Sequence, residues 1–258
     1  MNKGVFTALL IDLDGTLIGP DQKITSVVNQ AVRQVADQVP VSIVTGREPR
    51  DVLRFSRQLD LKTPQACDGG ASVLDPVTGE YLWRRAIPLE IAQEILTILN
   101  RRQIAFIATH QLGVETHEST EHKRVHPPDY NRISALDLTK RSAEALAEGF
   151  GADLGVNVAL AYLPYNTLWA VDITCRGVNK SVGARQLVGL LGTTLEETAV
   201  VGDSYNDLPL FESCKVRVAM GNAPFEVRSI ASYVAPPVEE DGLASAIEGY
   251  LLPLLTSR

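Results

Sequence analysis

The chain carries a run of apolar residues from Val5 to Ile11 that is broken by Asp12 and turned at Gly15. A short, uninterrupted apolar segment of this kind predicts a strand buried on both faces, as parallel sheets require. Val41 to Val44 before Thr45-Gly46, and Thr198 to Val201 before Gly202-Asp203, repeat the pattern, each ending in a polar residue beside a glycine. Between and after these runs helical patterns predict helices over residues 25–36, 49–58, 179–191, 205–213 and 241–252. Strands alternating with helices predict an α/β core around a parallel sheet.

The middle of the chain follows a different pattern. Ser72 to Leu74 and Tyr81 to Trp83 flank Asp75-Pro76-Val77-Thr78-Gly79-Glu80, whose Pro and Gly predict a hairpin rather than a crossover. Pro88 opens a helix with Ile91, Ile95 and Ile98 on one face, and Ala143, Leu146, Ala147 and Phe150 mark another. Trp169, Val171, Ile173 and Cys175 alternate with Leu168, Ala170, Asp172 and Thr174, the period of a half-exposed strand. Residues 84–177 are therefore expected to form an α+β module inserted into a core made of residues 1–83 and 178–258.

Composition narrows the class. Of 258 residues, 45% are hydrophobic and 21% charged, enough apolar material for a large core. Lys plus Arg number 24 against 31 Asp plus Glu, a net charge of −7, which argues against nucleic acid or an anionic membrane as partner. Cys67, Cys175 and Cys214 are widely spaced and contain no Cys-x-x-Cys pair, so neither a disulfide framework nor a zinc site is expected. Asp12 and Asp14 cut the first apolar run short of a signal or membrane segment, and a cytoplasmic protein, monomer or homodimer, is the expectation.

The candidate chemistry gathers behind the predicted strands. Asp12 and Asp14, two residues apart before the Gly15 turn, would converge, and close like charges call for a cation or a shared proton. Thr45-Gly46-Arg47 offers a hydroxyl, a backbone N–H and a guanidinium suited to phosphate oxygens. Lys180 opens a helix, and Gly202-Asp203-Ser204-Tyr205-Asn206-Asp207 clusters two carboxylates and a carboxamide. Polar groups past the C-terminal ends of separate parallel strands meet at the edge where open α/β sheets bind ligands. About three carboxylates for a metal, with Thr, Lys and backbone N–H groups for a phosphoryl group, is the implied site.

In this order the four segments resemble the motifs of the haloacid dehalogenase superfamily: Asp12-Leu13-Asp14-Gly15-Thr16, Thr45, Lys180, and Gly202 to Asp207. Val218-Ala219-Met220-Gly221-Asn222-Ala223, Glu240-Asp241-Gly242-Leu243 and the long insertion resemble its Cof-type branch, subfamily IIB, with a C2-type α/β cap. The resemblance implies a Rossmann-like parallel sheet with helices on both faces. It also implies a Mg²⁺-dependent phosphatase acting on a small phosphorylated metabolite, such as a sugar phosphate, through an aspartyl phosphate. Asp12 is then the nucleophile, and Asp14 the acid that protonates the leaving oxygen and the base that activates water. Asp12, the Asp14 carbonyl and Asp203 would hold the metal, with Thr45 and Lys180 on the phosphoryl oxygens. Leu13, Gly46, Arg47 and Asn206 fall at phosphate-binding positions and Asp207 at a supporting one. A carboxyl at position 14 favours phosphoryl transfer over carbon–halogen cleavage, which has no leaving oxygen to protonate.

His117, His122 and His126 crowd the insertion with Lys123, Arg124 and Arg132, but their spacing matches no zinc motif, and a solvated loop is expected. Lys123 or Arg124 would reach the leaving group if the insertion closes over the core, and Tyr162, Pro164 and Tyr165 would be surface or packing residues. A phosphotransferase or phosphomutase would use the same aspartyl phosphate and remains the alternative, while a receiver-type signalling module lacks such an insertion and the Asp-x-Asp spacing. A binding protein on a degenerate scaffold would not need the full catalytic set.

Overall fold

A computed structural model describes residues 5–118, 129–163 and 166–256. The chain divides into two compact units, Met1–Trp83 with Lys180–Arg258, and Arg84–Asn179. The second break falls two residues beyond the expected one. Val178 is tied to the preceding strand, its N–H donating to Cys175 O at 3.0 Å and its carbonyl accepting from Thr174 Oγ1 at 2.8 Å.

In chain order the first unit begins with β1 (Ala8–Ile11), α1 (Ser26–Ala36), β2 (Val41–Ile43), α2 (Pro49–Leu59), β3 (Gln65–Cys67), β4 (Ser72–Leu74) and β5 (Tyr81–Arg84). The second unit holds α3 (Leu89–Arg101), β6 (Phe106–His110), β7 (Gly113–Thr116), β8 (Tyr130–Leu138), α4 (Lys140–Asp153), β9 (Asn157–Leu163) and β10 (Leu168–Thr174). The first unit resumes with α5 (Lys180–Leu190), β11 (Thr198–Gly202), α6 (Leu208–Ser213), β12 (Val216–Ala219), α7 (Phe225–Ser229), β13 (Tyr233–Val234), α8 (Gly242–Ala246) and α9 (Leu252–Thr256).

The core sheet runs β13-β12-β11-β1-β2, every pair parallel. β1 lies inside it and all four of its residues are buried. Leu9 and Ile11 point into a cluster with Val28, Val32, Phe55 and Leu59 of α1 and α2. Leu10 points the other way, among Ala184, Leu187, Leu210 and Phe211 of α5 and α6. Each such side chain contributes about 1.5–3 kcal/mol on burial, so an apolar run without alternation is what this position demands. α1 starts where Thr25 Oγ1 accepts from Val28 N, and buries Val28, Ala31, Val32 and Val35 at helical spacing. α2 starts on Pro49, whose missing N–H costs nothing in a first turn.

The helix expected over 241–252 is not one α-helix: α8 passes through a widened π-turn, Ile247–Leu251, into α9. Pro253, with no N–H to donate, sits just past the widened turn. The helix expected from 205 begins as a 3₁₀ turn, Tyr205–Asp207, before α6.

The second unit is an antiparallel sheet, β7-β6-β8-β10-β9, with its own core of Phe106, Ala108, Ile133, Ala135, Val171 and Ile173 against α3 and α4. Ile91, Ile95 and Ile98 lie together on the face of α3 that packs on this core, with Ile95 fully buried beside Ala92, Leu96 and Leu99. One expectation needs correction here. β10 is an interior strand, not a half-exposed one: Ala170 and Thr174 are buried, and Asp172 accepts from Arg132 Nη1 at 3.2 Å and from Ser134 Oγ. An ion pair between neighbouring strands, rather than solvent, explains the polar residue in the alternation.

Candidate active site

Each candidate residue sits just past the C-terminal end of a core strand or at a helix start. The ladder holds those loops beyond the strands, with Asp12 N donating to Val201 O at 2.9 Å, Val44 N to Ile11 O at 2.9 Å and Met220 N to Gly202 O at 3.0 Å. Lys180, first residue of α5, places Nζ 2.7 Å from Asp12 Oδ1 and 2.7 Å from Asp207 Oδ1. The three residues are 3%, 6% and 1% exposed, so this is a buried cation shared by two buried carboxylates. The second oxygen of Asp207 accepts from the N–H groups of Asp203 and Ser204, both at 3.1 Å, which fixes the turn after β11. Gly15 lies against Asp203: at φ +75°, a Cβ there would come within 2.1 Å of Asp203 Oδ2.

The charges do not balance. The carboxylates of Asp12, Asp203 and Asp207 offer oxygens within 4.8 Å of one another. Burial, and then the Asp207 charge, push the Asp12 carboxyl up to about 7 against the pull of Lys180. Burial raises Asp203 as well, reinforced by Asp12 and Asp207. Burial opposes the Lys180 charge, but the two carboxylates outweigh it and raise its pKa. Asp203 Oδ1 is shut off from solvent and has no hydrogen-bond partner among the described residues. An orphaned buried oxygen in a cluster short of positive charge fits a small, hard divalent cation such as Mg²⁺. Asp207 is the weaker ligand, since donors already occupy both its oxygens.

The remaining expected residues are placed as follows. Thr45 is buried, and its Oγ1 accepts from Arg47 N at 3.2 Å. Gly46 lies between them, half-buried, and Leu13 packs its side chain into the core. Asn206 turns its carboxamide oxygen to Ser204 Oγ at 2.7 Å. The Arg47 guanidinium forks onto Asp14, Nε to Oδ2 at 2.9 Å and Nη2 to Oδ1 at 2.6 Å, and extends Nη1 to Asp51 Oδ2 at 2.9 Å. Its charge is opposed by burial but held by those carboxylates. His117 is exposed; His122, Lys123, Arg124, His126, Pro164 and Tyr165 lie outside the described residues.

Asn222 was not singled out by chemistry. Its Nδ2 donates to Gly15 O at 3.0 Å and to Asp203 Oδ2 at 2.9 Å, while its Oδ1 accepts from Val238 N at 3.0 Å. It joins the Asp12 loop to the Asp203 loop. Its place just after β12, beside a glycine, was the available signal, the same one that marked Thr45 and Asp203.

Known proteins resemble the chain over most of its length. The family model described as haloacid dehalogenase-like hydrolase matches residues 9–247. A 5-amino-6-(5-phospho-D-ribitylamino)uracil phosphatase of Bacillus subtilis is 26% identical, the match covering 94% of this chain and 96% of that protein. A phosphoglycolate phosphatase of Methanothermobacter thermautotrophicus is also 26% identical, over 95% and 98% of the two chains. In fold, the solved structure of a haloacid dehalogenase-like hydrolase from B. subtilis matches with a TM-score of 0.83 at 23% identity, covering 95% of this chain and 99% of that one.

Proposed function

The chain belongs to the haloacid dehalogenase-like hydrolases, as a phosphatase of the Cof type, and from that premise we propose that it hydrolyses a small phosphomonoester with Mg²⁺ through an aspartyl phosphate on Asp12. The observation that carries this reading is the Lys180 ammonium held between Asp12 and Asp207, with the orphaned Asp203 oxygen beside them. Lys180 engages Oδ1 of Asp12 and so orients Oδ2 for attack on phosphorus. Thr45 and the N–H groups of Leu13 and Gly46 bind the non-bridging oxygens. Their charge is met by dipoles fixed before the reaction begins. Asp14 gives a proton to the departing alcohol and later takes one from the water that attacks the aspartyl phosphate. Asp12, Asp203 and the Asp14 carbonyl would hold Mg²⁺, which supplies electrostatic relief between an anionic nucleophile and an anionic ester. Asp207 and Asn222 keep Lys180 and Asp203 in place.

We assign to the unit Arg84–Asn179 the choice of organic group. Two relatives of equal identity bear the names of different substrates, so likeness alone does not select one. The test is phosphate release, with Mg²⁺ and with EDTA, from a panel including sugar phosphates, phosphoglycolate and a ribitylaminouracil phosphate. Asp12→Asn abolishes turnover on every ester the wild type cleaves; near-normal activity in that variant would sink the assignment. Product analysis separates hydrolysis from transfer: free phosphate without a new phosphoester supports it, and an isomerised ester overturns it.

A further inference from the structure

Arg47 stands where a guanidinium would be expected to grip phosphate, yet its donors are directed elsewhere. Nε and Nη2 form a two-point fork on both Asp14 oxygens, at 2.9 and 2.6 Å. Nη1 reaches Asp51 Oδ2 at 2.9 Å and, more loosely, Gln22 Oε1 at 3.4 Å. The backbone of Arg47 is fixed as well, its N–H on Thr45 Oγ1 at 3.2 Å and its carbonyl accepting from Asp68 N at 2.8 Å. Asp14 needs such a partner. Its side chain is 50% exposed and sits next to Gly15, so nothing in its own loop restrains the carboxylate as burial restrains Asp12. A bidentate guanidinium–carboxylate pair imposes one geometry, which a point charge does not.

We propose that Arg47 acts on the reaction through Asp14 rather than through the phosphoryl group, as a positioning residue that holds the Asp14 carboxylate in place and releases one of its two oxygens when that oxygen takes up the proton it then delivers to the leaving oxygen, with Asp51 as the anchor that holds Arg47. This rests on the proposed phosphatase reading with Asp14 as proton donor. Asp51 lies in the first turn of α2, four residues from Arg47, and a second cation, Arg54 Nη2, lies 3.4 Å from its other oxygen. The chain thus builds a rigid arm from α2 to the loop after β1.

Leaving groups discriminate the two roles. A nitrophenolate departs with little help, whereas an alkoxide must be protonated as it leaves, so misaiming the acid harms alkyl esters selectively. The ratio kcat/KM reports steps up to the departure of the alcohol, so the later role of Asp14 toward water does not enter it. The experiment measures kcat/KM of wild type, Arg47→Gln, Arg47→Lys and Asp51→Asn on 4-nitrophenyl, phenyl and alkyl phosphates, with inhibition by inorganic phosphate alongside. Arg47→Gln is expected to lose on the order of 100-fold on the alkyl ester and only a few-fold on the nitrophenyl ester, given what general acids contribute. Asp51→Asn follows the same trend more weakly, and Arg47→Lys restores part of the loss. A uniform loss across leaving groups with weaker phosphate inhibition would make Arg47 a phosphate ligand, and equal behaviour of all variants would make the arm idle; either overturns the proposal. Loss of Mg²⁺-dependent turnover in the wild type itself would instead strike the underlying reading.

Discussion

Lys180 holds a structural position and, on the proposed reading, a chemical one, and the two separate on substitution. Replacing a buried cation leaves its carboxylate partners uncompensated, at a cost of about 3–5 kcal/mol. Lys180→Met is therefore expected to lower unfolding free energy in EDTA by that order, read from urea melts; a variant as stable as wild type would refute the shared-cation arrangement. Gly15→Ala tests the neighbouring loop. The added Cβ would strike Asp203 Oδ2, and the left-handed backbone adds strain of about 1–3 kcal/mol. Calorimetric Mg²⁺ affinity should drop at least about tenfold with the fold retained. The grouping of Asp12, Lys180 and Asp203 was legible because each follows a buried strand or opens a helix, so that together they meet at one edge of the sheet, although each alone is an ordinary turn or helix-start residue. Asn222 and Asp51 were not, because what they do depends on partners supplied by tertiary structure. Asn222 meets Gly15 across the sheet edge, and Asp51 matters only once Arg47 reaches back to Asp14.

At the scale of elements, α5 owes its position to a missing side chain. Gly183 packs so closely on the Asp68–Gly70 turn that a Cβ would lie 2.6 Å from Gly70 Cα and O. Gly183→Ala should gain about 1 kcal/mol of helix propensity and lose about 1–3 kcal/mol to overpacking, so the clash decides the sign. The helix must shift, carrying Lys180 with it. Lower kcat/KM together with a lower Tm is the expected outcome, and a more stable, fully active variant would contradict it. The strands β1, β2 and β11 were readable as apolar runs because both of their faces are covered. β3 was not, since it is three residues long and spends Gln65 on a bond from Ile43 N at 2.7 Å. β10 misled because its Asp172 meets Arg132, and period alone does not distinguish a cross-strand ion pair from solvent.

For the whole molecule, the raised carboxyls link stability to pH and metal. Unfolded carboxyls titrate near about 4. Asp12 in the folded chain is pushed up to about 7, and Asp203 is raised in the same sense. Between those pH values the folded state retains protons that the unfolded chain has released, so metal-free stability must fall as pH rises through the window. On the proposed reading Mg²⁺ takes over from those protons, so its increment in Tm should be larger at pH 7.5 than at pH 5; an equal increment at both would refute the linkage. The sheet order has one more consequence. Leu10 pairs with Val200, which comes about 190 residues later in the chain. At ~5–20 residues per second, a ribosome makes the first strand tens of seconds or so before its inner neighbour exists. A truncated chain that stops within the insertion would expose an apolar strand edge to chaperones or aggregation and would have no phosphatase chemistry at all.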